Sequence, residues 1–140
     1  MKNVLVGFSA VLVLAFASAA HARFPVPLDS HENVPIVVPS GQAPAIETVR
    51  KAILNGGMGG ARKWFPTSAS EGRLRLTYNV RSHSVSVEVT YSQKAYSIAY
   101  ASSVNMKYGL DASGTPVIHP FYNTWVRELR TAIDYELTKL

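Results

Sequence analysis

The chain has 140 residues, no cysteine and a formal net charge of +5 at pH 7. Its length bounds it to one ordinary domain with room for a real core. Without cysteine there are no disulfide staples and no thiolate zinc site, so stability must come from packed secondary structure.

The N-terminus sets the compartment. Met1-Lys2-Asn3 precedes an apolar run from Val4 to Ala17, which is followed by Ser18-Ala19-Ala20-His21-Ala22. A basic start, a hydrophobic stretch and small residues in an A-x-A arrangement are the marks of an export signal. Residues 1–22 are therefore expected to be a signal peptide, cleaved before Arg23 or after Ala20, and the working protein to be periplasmic or secreted. The run falls short of the roughly 20 apolar residues that cross a bilayer, so no transmembrane span is expected after cleavage. Loss of Lys2 lowers the net charge to +4. An excess of that size favours an anionic envelope component by long-range attraction, or is simply a solvated surface. The basic residues are scattered along an exported chain, which argues against nucleic acid.

Residues 23–44 hold Pro25, Pro27, Pro35, Pro39 and Pro44 and no helical period. They are expected to form a Pro-rich extended leader without a core of its own, with Val34 to Val38 resting on the domain. The domain proper is expected over 45–140. Behind Pro44, Ile46, Val49 and Ile53 recur at helical spacing, predicting a short amphipathic helix from Ala45 to Leu54. Asn55-Gly56-Gly57 is expected to stop it, with Gly59 and Gly60 continuing a hinge; no Lys-Ser or Lys-Thr follows to make these glycines a phosphate loop. Ala61 to Phe65 is expected as a short first strand, and Pro66 to Gly72 as a loop.

Three alternating runs follow: Leu74, Leu76, Tyr78, Val80; Val85, Val87, Val89, Tyr91; Tyr96, Ile98, Tyr100. Period two with β-branched and aromatic residues predicts strands buried on one face. A two-residue turn at Ser82-His83 would set Val80 against Val85 and Leu76 against Val89. A second at Gln93-Lys94 would set Tyr91 against Tyr96, Val89 against Ile98 and Val87 against Tyr100. Either register keeps all apolar residues together, which a one-residue slip would destroy. The outward rows are then Arg73, Arg75, Thr77, Asn79 and Arg81, next Ser84, Ser86, Glu88 and Thr90, and last Ser97, Ala99, Ala101 and Ser103. Such a face meets water or a partner.

After a loop through Gly109, Ser113 and Gly114, Pro120 opens a long helix. Its apolar stripe is Tyr122, Trp125, Val126, Leu129, Ile133 and Leu137. A one-sided sheet and two amphipathic helices predict an α+β two-layer sandwich: an antiparallel meander of three to four strands with both helices on one face, in the order α-β-β-β-β-α.

No catalytic constellation stands out. His31, His83 and His119 are far apart in sequence, with no short-spaced metal pair, so no metal and no cofactor are expected. There is no G-x-S-x-G elbow, and the register brings no two carboxylates together. Seven Tyr and two Trp suggest sugar stacking, but most fall on the inward face or the buried stripe, where they read as core. Trp64 and Tyr108 lie outside the regular elements and are the freer candidates.

Arg81-Ser82-His83, Tyr96-Ser97-Ile98-Ala99-Tyr100, Ser102 to Tyr108 and Ile118-His119-Pro120-Phe121-Tyr122-Asn123-Thr124-Trp125-Val126 resemble a family of small exported proteobacterial proteins, many of them lipoproteins, with an I-H-x-x-Y-N-x-W motif. The resemblance covers about Ala45 to Leu137. It implies an envelope location and no activity, and this chain lacks the lipid-bearing cysteine of the lipoprotein members.

Two functions are weighed. The first is a non-enzymatic domain that binds or scaffolds an envelope protein or anionic component through the outer sheet face, with Arg73, Arg75, Arg81, Ser97 and Ser103 in contact. The alternative is a small hydrolase or ligand-binding pocket at one end of the sandwich, built from Asn105, Tyr108, His119 and Asn123 with Trp64 as a wall.

Overall fold

The computed structural model describes residues 23–140; the export signal expected over 1–22 lies outside the described residues. The predicted α+β class holds, with two helices and two antiparallel sheets. The helices are α1, Ile46–Gly59, and α2, Phe121–Leu137. The larger sheet has the strand order β2-β6-β5-β4-β3, formed by β2 (His31–Pro35), β3 (Phe65–Ser70), β4 (Arg73–Val80), β5 (His83–Tyr91) and β6 (Ala95–Val104). A small sheet, β1-β8-β7, joins Val26–Pro27, Pro116–Ile118 and Gly109–Leu110.

The central meander follows from alternation. Leu74, Leu76, Val85, Val87, Val89, Tyr96 and Ile98 are buried in one cluster with Val49 and Ile53 of α1 and Val126, Leu129 and Ile133 of α2. Between β5 and β6 the expected pairs form: Tyr91 with Tyr96, Val89 with Ile98, Val87 with Tyr100. Between β4 and β5 the turn is Arg81-Ser82 rather than Ser82-His83, so Val80 meets His83 and Leu76 meets Val87. The slip is two residues, which leaves every side chain on its expected face. It requires Arg81 at φ +54°, a left-handed first turn residue that suits the twist of a tight hairpin.

One outward row is corrected. Between Val87–Tyr100 and Ser86–Ser102 an extra residue, Ala101, bulges out of β6. The bulge reverses the face of everything after it. Ser103 therefore lies opposite Val85 on the core side, where its hydroxyl is 3.0 Å from that of Tyr100, and Val104 is turned outward.

Three further expectations fail at the edges. The first strand is Phe65–Ser70, not Ala61 to Phe65, and it replaces the loop expected from Pro66. All its residues are exposed, so burial left no alternation to read; Pro66 and a bulge at Thr67 suit an edge position. The leader is not a separate segment. His31↔Ile98 and Val34↔Tyr96 place β2 on the free edge of β6, while Val26↔Ile118 anchors β1. Prolines are tolerated because these are edge strands. The observed order is thus β-β-α-β-β-β-β-β-β-α rather than α-β-β-β-β-α.

The glycines are packing residues rather than a stop. α1 runs through Gly56 and Gly57 to Gly59. A Cβ on Gly56 would lie 2.7 Å from the Ile133 backbone nitrogen, and one on Gly57 would sit 3.4 Å from Leu76 Cδ1 and the Trp64 carbonyl. The two helices touch backbone to backbone at Gly56, which is why a weak helix former persists mid-helix. Gly56→Ala is therefore expected to destabilise the domain by about 1–3 kcal/mol through overpacking. Gly59→Ala, with nothing within 4 Å, should stabilise it slightly, by roughly 0.5 kcal/mol. Urea melts of the two variants should move in opposite directions.

Candidate functional site

Two surfaces contain the residues singled out in the sequence. The first is the sheet face away from the helices. Thr67, Thr77 and Ser86 form a hydroxyl ladder across three strands, with oxygens 3.2 Å and 2.8 Å apart. Glu88 on β5 lies between two cations of β4, 3.1 Å from Arg73 and 3.7 Å from Arg75. Both arginines are on the expected face, but their charge is largely balanced there. Ser97 is also on this face, and its hydroxyl accepts the Asn33 amide at 2.9 Å. Arg81 lies in the hairpin turn, and Ser103 faces the core. Of the five residues expected to share a docking face, three do.

The second surface is the end of the sandwich where β6 leaves the sheet and α2 begins. The His119 amide donates to the Met106 carbonyl at 2.8 Å, and His119 Nδ1 accepts the Phe121 amide at 3.2 Å, meeting one of the orphan donors of α2. Asn105, at φ +58°, donates to the Ser82 carbonyl at 2.6 Å and ties the β4–β5 turn to this end. Tyr108 stacks on Tyr100 with ring centroids 4.1 Å apart. Asn105, Tyr108 and His119 therefore do converge. Trp64 does not join them: it is 1% exposed, packed on Tyr78 in the core, and cannot be a pocket wall. Nor does Asn123, which is buried and turned toward the leader.

A shallow apolar trough of about 510 Å³ opens away from both surfaces, beside Ala61, Thr131, Ala132 and Tyr135. Among the described residues no three of His, Asp and Glu are grouped to hold a metal ion. His119 Nδ1 and Asn105 Nδ2 are thus engaged with backbone, and both bonds fix loops at the β6–α2 end.

Burial lowers the His119 pKa from its ordinary 6.5, and the positive charges of Lys107, Arg23 and His83 lower it further. Arg23, Lys107 and His83 come from separate parts of the chain, and no spacing in the sequence marks their meeting.

Asn123 and His31 were the functional-looking polar residues whose role sequence spacing could not show. Asn123 Nδ2 donates to the Pro27 carbonyl at 2.8 Å, and its Oδ1 accepts the Asp29 amide at 3.0 Å. It clamps the leader backbone from both sides, and Arg127 pairs with the Asp29 carboxylate at 3.3 Å. Two positions on, His31 is 5% exposed and neither ring nitrogen has a hydrogen-bond partner among the described residues. Its pKa is lowered, first by burial and then by Arg130, while Asp29 and Asp134 pull in the opposite direction. Nearby, Tyr96 donates its hydroxyl to Asp134 at 2.5 Å, and burial with that carboxylate raises the phenol pKa.

Comparison with known proteins gives no match to a family model, a curated protein or a solved structure.

Two outcomes follow from this clamp. Asn123→Ala removes both hydrogen bonds to the leader backbone, part-buried contacts with a net worth of about 0.5–1.5 kcal/mol each; amide exchange should accelerate over Val26 to Pro35 and much less over β5. His31 is neutral in the fold, so below its unfolded pKa of 6.5 the unfolded chain takes up a proton that the folded chain refuses. Stability should therefore fall as pH drops from 6.5 toward the lowered folded value, and be unaffected by this group above 6.5. Denaturant melts across that range should show the loss, and His31→Gln should flatten it.

Proposed function

We propose that this chain is an exported, envelope-associated protein that binds or scaffolds an envelope component without catalysing a reaction, and that its contact surface is the open face of the five-stranded sheet. The observation that carries this reading is the uncovered face itself. It presents Thr67, Thr77, Ser86, Thr90 and Ala99, short side chains that lose little rotamer freedom when a partner covers them. The Thr67, Thr77 and Ser86 hydroxyls are already held by one another, and Glu88 pairs with both arginines, so this part of the surface is organised before contact. The export signal in the sequence and the resemblance to small exported proteins support the envelope location.

The alternative, a small hydrolase or ligand pocket, gains less from the geometry. His119 Nδ1 accepts the Phe121 amide, Asn105 is committed to Ser82, and Trp64 and Asn123 are elsewhere.

A photoreactive residue placed at Ser86 in the exporting cell should give discrete adducts, whereas one at Thr131 on the far side of α2 should not. Desolvating an unpaired carboxylate costs several kcal/mol, so Thr77→Glu should lower the adduct yield at Ser86 by at least about tenfold. Adducts from Thr131 alone, or a yield indifferent to Thr77→Glu, would reject the sheet face.

A further inference from the structure

Ten large apolar side chains are well exposed among the described residues, and Val37, Ile46, Met58, Phe65 and Tyr135 are spread over other elements. The other five, Phe24 at 84%, Leu110 at 67%, Val104 at 57%, Tyr108 at 46% and Phe121 at 40%, come from the segments where the chain enters, β6 leaves its sheet, the small sheet forms and α2 begins. Contacts described above and a few more tie them together. Val104 pairs with Ser84 beside the Arg81-Ser82 turn, and Leu110 pairs with Pro116 in the small sheet. The Arg23 guanidinium sits 4.5 Å above the Phe121 ring, and Lys107 Nζ reaches the Arg23 carbonyl at 3.5 Å.

Among the described residues Arg50, Arg62, Arg73, Arg75, Arg127, Arg130 and Lys139 make ion pairs. Six described cations make none: Lys51, Lys63 and Lys94 on other parts of the surface, and Arg23, Arg81 and Lys107 at this end. The carboxylate nearest in sequence, Asp111, is turned into its own loop, accepting the Ser113 and Thr115 amides at 2.9 Å and the Ser113 hydroxyl at 2.7 Å. Arg23 and Lys107 are close enough to act together on His119, whose pKa burial lowers first and their charges lower further.

We infer that this end is a membrane-docking tip, on which Phe24, Leu110 and Tyr108 enter the interfacial layer of an anionic bilayer while Arg23, Arg81 and Lys107 contact its headgroups. Aromatic and aliphatic side chains ringed by unpaired cations are the composition of an interfacial binder, in which apolar insertion and headgroup attraction add. A protein partner would need a complementary acidic and concave surface, whereas a bilayer supplies both chemistries without shape. Arg23 itself belongs to this patch, and cleavage before it would leave a further positive amino terminus there. This inference rests on the envelope location proposed above but uses a different surface from the sheet face.

The test is flotation of the exported protein with vesicles of phosphatidylglycerol in phosphatidylcholine, against phosphatidylcholine alone. Binding is expected only with the anionic lipid, and each lost cation should weaken it roughly fivefold. Arg23→Gln, Arg81→Asn and Lys107→Asn together should thus cost on the order of 100-fold. Asparagine is chosen at 81 and 107 because both residues have positive φ, +54° and +52°, which it tolerates. Phe24→Ser with Leu110→Ser should abolish the part of binding that survives high salt. Unaltered thermal melts would show that these variants fold. Equal binding to both vesicles, full binding by the triple variant, or equally tight binding of soluble glycerol phosphate would overturn the inference. Ser86→Glu should leave vesicle binding unchanged; if it abolishes flotation, the docking surface is the sheet and not the tip. Loss of sheet cross-linking with flotation intact would remove the proposed sheet function and leave the tip standing.

Discussion

The backbone contact between α1 and α2 at Gly56 governs how the two layers sit. With no Cβ at Gly56, the first helix approaches the Ile133 backbone closely, and Gly57 then lies against Leu76 and Trp64 of the sheet side. One short stretch therefore touches both the second helix and the sheet. Ile53, Leu129 and Ile133 are carried down onto Val87, Val89 and Ile98 with almost no exposed surface left. Close packing of this kind leaves no freedom to slide a layer without opening voids.

That geometry sorts the charges. On the open face Glu88 satisfies Arg73 and Arg75, and along α2 Arg130 is met by Asp134 and Arg127 by Asp29. The remaining unpaired cations near the β6–α2 end stand beside exposed Phe24, Tyr108 and Leu110. The sheet face and the tip consequently differ in chemistry: the first is flat, hydroxylated and nearly neutral, the second apolar and cationic.

The leader gains its place through polar contacts. Asn123 holds the Pro27 and Asp29 backbone, β2 adds to β6, and His31 is buried with no hydrogen-bond partner for its ring among the described residues. An unpaired buried imidazole opposes the packing around it, so the edge strand is retained by its clamp and by Val34 rather than by the residue at its start. Arg130 and Arg127 on α2 reinforce the neutral form of the ring, whereas Asp29 and Asp134 favour the charged one.

Much of the architecture was legible in the sequence because it follows from period. Alternation over Leu74 to Tyr100 and the three- and four-residue stripe of α2 determined which side chains are buried, since those patterns have only one low-energy face to present. The hairpin slip at Arg81 did not disturb this, being an even number of residues. The Ala101 bulge did, because one inserted residue leaves no mark in composition yet turns Ser103 in and Val104 out. Edge strands β2 and β3 were illegible for a related reason: with one flank or one face in solvent, burial imposes no repeating pattern on them. The glycines of α1 suggested a stop because local propensity knows nothing of Ile133, 77 residues further along the chain, being brought into contact; only the folded chain decides that they are contact points. The tip is likewise a tertiary product. Arg23, Arg81, Lys107 and Phe121 come from four separate stretches, and a sequence can specify each residue's chemistry but not, without the fold, that their charges and rings add at one place.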